Sequence, residues 1–151
     1  MITVMLIVHG LAAVALLGAI THQAFSVARR PASRDTFARK FRSVSSPAFV
    51  NAIVILFAFT FILGGLLYPA YRLDVRPLLE DMGWRAPSGI FEIKEHLAAI
   101  GLGTLPVYWH AWRANEPAWE LVRRNLTWLL AFVVWFSFLT GHILNNLKGL
   151  V

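Results

Sequence analysis

Cysteine is absent from this 151-residue chain, and charged residues are scarce. Without thiolates the protein cannot form disulfides, ligate iron–sulfur clusters or bind a metal through sulfur. Only 15% of the residues are Asp, Glu, Lys or Arg, whereas about one-quarter is usual for a soluble domain. The net charge of +6 is not gathered into a basic stripe with stacking aromatic residues, so we expect no nucleic-acid partner.

Apolar residues make up 58% of the chain and are concentrated in four long uncharged runs, at residues 2–27, 47–68, 96–112 and 125–147. About twenty apolar residues span the hydrocarbon core of a bilayer as a helix, and lipid tolerates only helices or closed barrels. None of the runs alternates with the period of two that barrel strands require. The sequence therefore predicts a single all-α domain, an integral membrane four-helix bundle with up-down-up-down topology.

The expected helices cover about residues 2–27, 47–68, 89–112 and 125–147. The third begins before its apolar run because Ser88 is a suitable N-cap. We expect Pro69 to end the second helix, with Tyr68 and Tyr71 at the membrane interface. A short helix is expected at residues 77–82, in the loop that follows.

Basic residues between the first two runs predict the orientation in the membrane. Residues 29–42 contain six Lys or Arg side chains and one acid, so the positive-inside rule places this loop in the cytoplasm. Both termini are then periplasmic. Within the loop, residues 33–41 (SRDTFARKF) fit either a basic amphipathic helix on the anionic leaflet or a solvated linker. The first run has no basic start and no clear cleavage site, so we expect it to be retained.

Five histidines lie in or at the edge of the apolar runs, and none lies in a loop. Ionisable residues in a membrane are costly and usually face a functional partner inside the bundle. A hydrogen bond between helices would explain one such residue. Five of them, grouped at two depths, favour ligation of a cofactor: His9, His22, His96, His110 and His142.

The spacing of the histidines indicates two sites. His96 and His110 are fourteen residues apart, which is about 40° around an ideal helix and about 21 Å along it. His9 and His22 are thirteen apart, or about 140°. A π-bulge or kink near Gly18 would bring this pair into line. Otherwise His142 replaces His9 as the ligand on the periplasmic side.

The two halves of the chain are weakly alike. HGLAAVALLGAITH in the first helix is similar to HLAAIGLGTLPVYWH in the third, which fits either two parallel two-helix repeats or a chance likeness of apolar sequences. Several glycines could let a macrocycle approach the backbone or could simply pack helices. They are Gly18, Gly64, Gly101, Gly103 and Gly141.

The two helices with paired histidines resemble the cytochrome b subunit of bc-type complexes. Four helices with two bis-histidine haems also resemble the bacterial b561-type cytochromes and the cytochrome b subunits of formate dehydrogenases and hydrogenases. The first resemblance implies that His9 pairs with His96, and His22 with His110. The second allows His96 with His142. Either implies two haem b groups held by axial imidazoles, in a bacterial inner membrane.

The resemblance implies transmembrane electron transfer, with quinone, quinol or a redox protein as partner. The chain would then be either a small cytochrome or one subunit of a larger respiratory complex. Two further functions remain open from the residues alone. One is a haem-free scaffold or assembly subunit, and the other is a small transporter or proton relay lined by histidine.

Overall fold

The computed structural model describes residues 1–28, 46–114 and 116–148. They form four long helices, α1 (Ile2–Val27), α2 (Phe49–Ala70), α3 (Arg85–Ala114) and α4 (Glu120–Lys148). Within these ranges there is no strand, so the prediction of an all-α protein is confirmed. The basic loop at 29–42, with its amphipathic or linker segment at 33–41, lies outside the described residues.

Three helical segments are long and apolar enough to cross a membrane, among the residues that the structure describes. They are Ile2–Val27, Phe49–Asp81 and Pro117–Asn146. The helix α3 is not one of them, although it is the longest. Its first turns carry Glu92, Lys94 and Glu95, and its apolar part is interrupted by polar and aromatic residues. A fourth membrane span therefore stays a prediction.

The expectation that Pro69 ends the second helix is wrong, since this proline lies inside α2. The helix reaches Ala70, continues as a π-helical turn at Tyr71–Val75, and resumes as a short helix at Arg76–Asp81. Proline removes one N–H from the preceding turn, but its fixed φ is compatible with helix. The chain therefore changes its helical type just beyond the proline and does not stop.

A tight turn at Gly83 separates the short helix from α3. Gly83 has a φ of 75°, which is the left-handed conformation that glycine adopts without steric cost. The N–H of Trp84 donates to the carbonyl of Leu79 at 2.8 Å and closes the end of the short helix. The helix α3 then begins at Arg85, before the expected start near residue 89.

The core lies between the long helices and is formed by apolar side chains from all four. The most deeply buried large residues include Ile20, Ile53, Tyr108 and Leu130, each with 0% exposure. The helix α1 packs extensively on α2 and α4, and α3 packs mainly on α4. This core lies toward the end of the bundle where α1 and α3 finish and α2 begins.

Side-chain hydrogen bonds join the helices at the end where α1 and α3 finish. In four of them an aromatic donor bonds to a polar residue on a neighbouring helix, and in a fifth Arg113 donates to Asn51 at 3.3 Å. The four with aromatic donors are Tyr108 to Gln23, Trp109 to Asn51 (3.0 Å), Trp112 to Thr127 (3.2 Å) and Trp135 to Thr21 (2.9 Å). These bonds fix the relative positions of the helices around His22 and His110.

The outer surfaces of the helices are strongly apolar. Val4, Leu11, Ile55 and Ile62 are each at least 60% exposed, and many other large aliphatic and aromatic residues are exposed as well. Soluble monomers rarely expose contiguous apolar surface of this extent. The surface therefore agrees with a protein embedded in lipid.

Candidate functional site

The histidine His9 lies between α1 and α2. A Cβ built on Gly64 would lie 3.5 Å from Cε1 of His9, an ordinary van der Waals distance, so the imidazole lies beside this glycine. The Nδ1 atom of His9 is buried and has no partner of normal hydrogen-bond geometry among the described residues, although the Thr60 backbone is close to the ring. Lys94 and Glu95 of α3 are within electrostatic reach of the ring. A buried nitrogen without a well-aligned partner can act as a donor or a ligand atom.

The histidine His96 reaches the same end of the molecule from α3. It lines a groove of about 380 Å³, the His96 groove, together with Gly65, Tyr68, Glu92 and Glu95. Its Nδ1 atom lies 2.7 Å from the main-chain carbonyl of Glu92, which orients the ring and leaves Nε2 as the second nitrogen. The His9–His96 end therefore has His9 beside Gly64 of α2 and His96 in the groove that Gly65 lines.

At the other end, the structure does not bring His22 and His110 together. His22 is buried and stacks on Phe49 of α2, with ring centroids 4.7 Å apart. His110 is exposed and makes an edge contact with Trp119 at 4.9 Å. The neighbouring residue Tyr108 faces α1, so His110, about 200° further around α3, points away from the core.

The fifth histidine, His142, is exposed on α4. Its Nε2 atom lies 3.2 Å from Nδ2 of Asn146, and its ring stacks loosely on Phe138 at 6.3 Å. Both contacts are within one turn of the same helix. The helix α1 is a continuous α-helix, so the bulge at Gly18 that would align His9 with His22 does not form.

The candidate glycines divide into two kinds. Gly64 faces the imidazole of His9, at a distance where a Cβ would make an ordinary van der Waals contact. A Cβ on Gly101 would instead lie 2.6 Å from Cζ of Phe57 and 3.3 Å from Cγ1 of Val133, so this glycine packs helices. Gly18, Gly103 and Gly141 have open space where a Cβ would lie.

No group of three or more His, Cys, Asp or Glu side chains that could hold a metal ion occurs in the described ranges. A protein-only metal centre therefore has no support there. A bis-imidazole haem needs only two such residues, and His9 of α1 and His96 of α3 both lie beside the Gly64–Gly65 pair of α2. These residue types fit that ligand, whereas His22 is buried against α2 and His110 is exposed on α3.

A buried polar pair and a second groove were not predicted from the sequence. The Tyr108 hydroxyl donates to Oε1 of Gln23, and both residues are 0% exposed. The second groove, about 420 Å³, lies beside the start of α3 and is lined by Arg76, Glu80, Arg85, Ser88, Gly89 and Glu92. The excess of acids over bases in residues 72–95 was its only sequence signal.

Comparison with protein-family models, curated proteins and solved structures finds no significant match.

Proposed function

We propose that the chain is an integral membrane protein of the bacterial inner membrane, with four spanning helices and both termini in the periplasm. Three helices of suitable length and composition support this proposal. An up-down order of α1 and α2 is supported by two contacts. His9 contacts Gly64 whereas His22 contacts Phe49, so the residue numbers rise along one helix as they fall along the other.

The helix α3 is proposed as the fourth span. Its contacts with α2 follow the same antiparallel rule, since Trp109 bonds to Asn51 whereas Phe91 lies beside Tyr68. Its apolar part, residues 96–112, is close in length to a span, and its charged first turns would lie at the interface. The ammonium of Lys94 lies 4.0 Å from the centre of the Phe91 ring, a contact suited to that level.

We further infer that the protein is a b-type cytochrome that carries two haems and moves electrons across the bilayer. One observation carries this inference, which is the arrangement at the His9–His96 end. His9 has a buried Nδ1 atom without a well-aligned hydrogen-bond partner, and His96 lines the neighbouring groove. Gly64 and Gly65, which lie beside these two histidines on α2, have no side chain that would obstruct a ligand. A second haem on His22 and His110 rests on the resemblance alone.

The chain's own residues would hold the cofactor and keep water away from it. His9 and His96 supply imidazole nitrogens from two different helices, which fixes the orientation of a planar ligand. The bond of His96 to the Glu92 carbonyl holds its ring in one orientation. A bound haem supplies one-electron redox chemistry. Quinone, quinol or a redox protein is the expected partner, inside or outside a larger complex.

A reduced-minus-oxidised visible spectrum with pyridine haemochrome quantification tests the inference. Protein purified from haem-replete cells should contain about two non-covalent haems per chain. His9→Ala and His96→Ala should each remove one, because each deprives the same haem of an axial ligand. His142→Ala is the matched comparison, since His142 has only local contacts. Loss of haem in His142→Ala but not in His9→Ala would show that His142, and not His9, is the ligand on the periplasmic side.

The variant His110→Ala tests the second site separately. It should lower the content from two haems to one and leave the helical signal unchanged. Full haem content in His110→Ala would refute the two-haem scheme. A well-folded protein with no haem at all would refute the cytochrome assignment.

A haem-free scaffold or assembly subunit is the second candidate, and one observation favours it. His96, His110 and His142 are exposed. Exposed imidazoles on membrane helices are costly unless another protein covers them. The same absorption spectrum separates the two functions. A histidine-lined transporter or proton relay would also lack haem, and transport across proteoliposomes would then identify it.

A further inference from the structure

The groove beside the start of α3, named here the polar groove, has no role in the proposed electron transfer. Glu92 lines both it and the His96 groove, so the two grooves adjoin. The polar groove is bounded by the short helix Arg76–Asp81 on one side and by the first turns of α3 on the other. The polar groove is the strongly charged half of this pair of grooves.

The charged half contains two cations and two anions. Arg76 bonds to Glu80 at 2.7 Å and to Glu92 at 2.8 Å. The guanidinium of Arg85 makes no ion pair or hydrogen bond with the residues that the structure describes. The formal charge of these four residues sums to zero. A ligand with one positive and one negative group therefore matches the groove better than a simple anion does.

One unused hydroxyl donor lies at the same place. Ser88 lines the polar groove and is 6% exposed, and its hydroxyl lies beside the buried hydroxyl of Tyr71. A hydrogen bond between the two hydroxyls uses one O–H and leaves the other without a partner of normal geometry among the described residues. Both are near the N-terminus of α3, whose first N–H groups and helix dipole attract phosphate. The donors and the free guanidinium form a phosphate-binding set.

The outer surface of α2 beside the grooves is apolar. The His96 groove has Tyr68 and Gly65 on its α2 side, and Glu92, Glu95 and His96 on its α3 side. Beside Tyr68 and Gly65 on α2, Ile62 and Leu66 are about 60% exposed to the outside. An acyl chain is the ligand part that such an apolar surface favours.

We propose that the polar groove binds the headgroup of a zwitterionic phospholipid that carries a primary ammonium. Arg85 and Ser88 donate to its phosphate, and Glu80 and Glu92 accept from its ammonium. Its acyl chains lie on the apolar outer surface of α2 at Ile62 and Leu66, so the His96 groove remains available to a haem. This proposal needs no haem and stands or falls separately from the cytochrome assignment.

Native mass spectrometry of the detergent-solubilised full chain, with defined lipids added, tests the proposal. One phosphatidylethanolamine per chain should be retained at least fivefold more strongly than phosphatidylglycerol, whose headgroup lacks the ammonium. Arg85→Gln should weaken phosphatidylethanolamine binding about fivefold, the loss of one charge-assisted hydrogen bond in a partly exposed groove. Arg124→Gln, the same change on exposed α4 surface outside the groove, should have no effect.

The variant Glu80→Gln distinguishes a role of Glu80 in lipid binding from a purely structural role, because only the first predicts a change in lipid preference. It releases Arg76 from one partner and raises the charge of the groove by one, so it should shift preference toward phosphatidylglycerol. Excess soluble phosphoethanolamine should not displace the lipid, because it lacks the acyl chain. Equal retention of both lipids by the native chain, unchanged selectivity in both groove variants, or displacement by the soluble headgroup would each overturn the proposal.

Discussion

Replacing Gly101 by alanine adds one methyl group at the closest approach of α3 to its neighbours. The new Cβ would lie 2.6 Å from Cζ of Phe57, 3.3 Å from Cε2 of the same ring, and 3.3 Å from Cγ1 of Val133. Real Cβ atoms essentially never approach other heavy atoms within 3.0 Å. Because Phe57 is 4% exposed and Val133 is 1% exposed, neither side chain has free space into which to move.

The expected cost follows from two opposing effects. Overpacking of a filled core costs about 1–3 kcal/mol. The gain in helix propensity from glycine to alanine returns up to about 1 kcal/mol. Gly103→Ala, two residues along the same helix, has the second effect only, since nothing lies within 4 Å of its Cβ position. The two variants should therefore differ by about 1–3 kcal/mol in unfolding free energy, with Gly101→Ala the less stable.

Unfolding in mixed micelles of dodecyl sulfate and a mild detergent, followed by circular dichroism, measures this difference. The double variant Gly101→Ala with Phe57→Leu removes the ring atom that the new methyl would contact. Its loss of unfolding free energy should therefore be smaller than the sum of the losses in the two single variants. Equal stability of the two alanine variants would refute the reasoning. So would the absence of coupling between Gly101 and Phe57.

Two further predictions concern the hydrogen bonds between helices. Tyr108→Phe removes the donor to Gln23 in a fully buried place, and should lower the unfolding free energy by about 1–2 kcal/mol in the same assay; an unchanged value would show that the bond adds nothing. Asn51→Val removes the acceptor shared by Trp109 and Arg113, and should cost about 1 kcal/mol and shift Trp emission. An unperturbed emission spectrum would contradict that contact.

The all-helical fold could be predicted from the sequence because lipid allows so few backbone structures. Uncharged runs near twenty residues long have essentially one outcome in a bilayer. The continuation beyond Pro69 could not be predicted in this way. It depends on a π-turn and on the contact of Tyr71 with Phe91, whose ring centroids lie 3.8 Å apart.

The inner and outer faces of the helices could not be predicted, and the histidines illustrate the reason. The fourteen-residue spacing predicts one shared face for His96 and His110, and both are indeed exposed. Which face that is depends on neighbouring helices, because lipid is as apolar as a protein core and leaves little periodic signal. On α3 the buried Leu105 and Ala111 alternate with the exposed Val107, which is equally apolar.

The types of residue at the candidate site could be predicted from the sequence, but the contacts between them could not. His9 and Gly64 are 55 positions apart, and Tyr108 and Gln23 are 85 apart, so no local pattern connects them. The polar groove depends on the short helix folding back onto α3, which brings Arg76 within 2.8 Å of Glu92. Long-range packing of this kind is set by the whole bundle.

The π-turn at Tyr71–Val75 makes the chain tolerant of a change in length at one point. A π-turn contains about one residue more than an α-turn of similar rise. Deleting a single residue there would restore a continuous α-helix and leave the segment beyond it near its present orientation, because the π-turn already absorbs the extra residue. The guanidinium of Arg76 would stay beside Glu92. In a regular α-helical part of α2 the same deletion would rotate everything beyond it by about 100° and separate these two side chains.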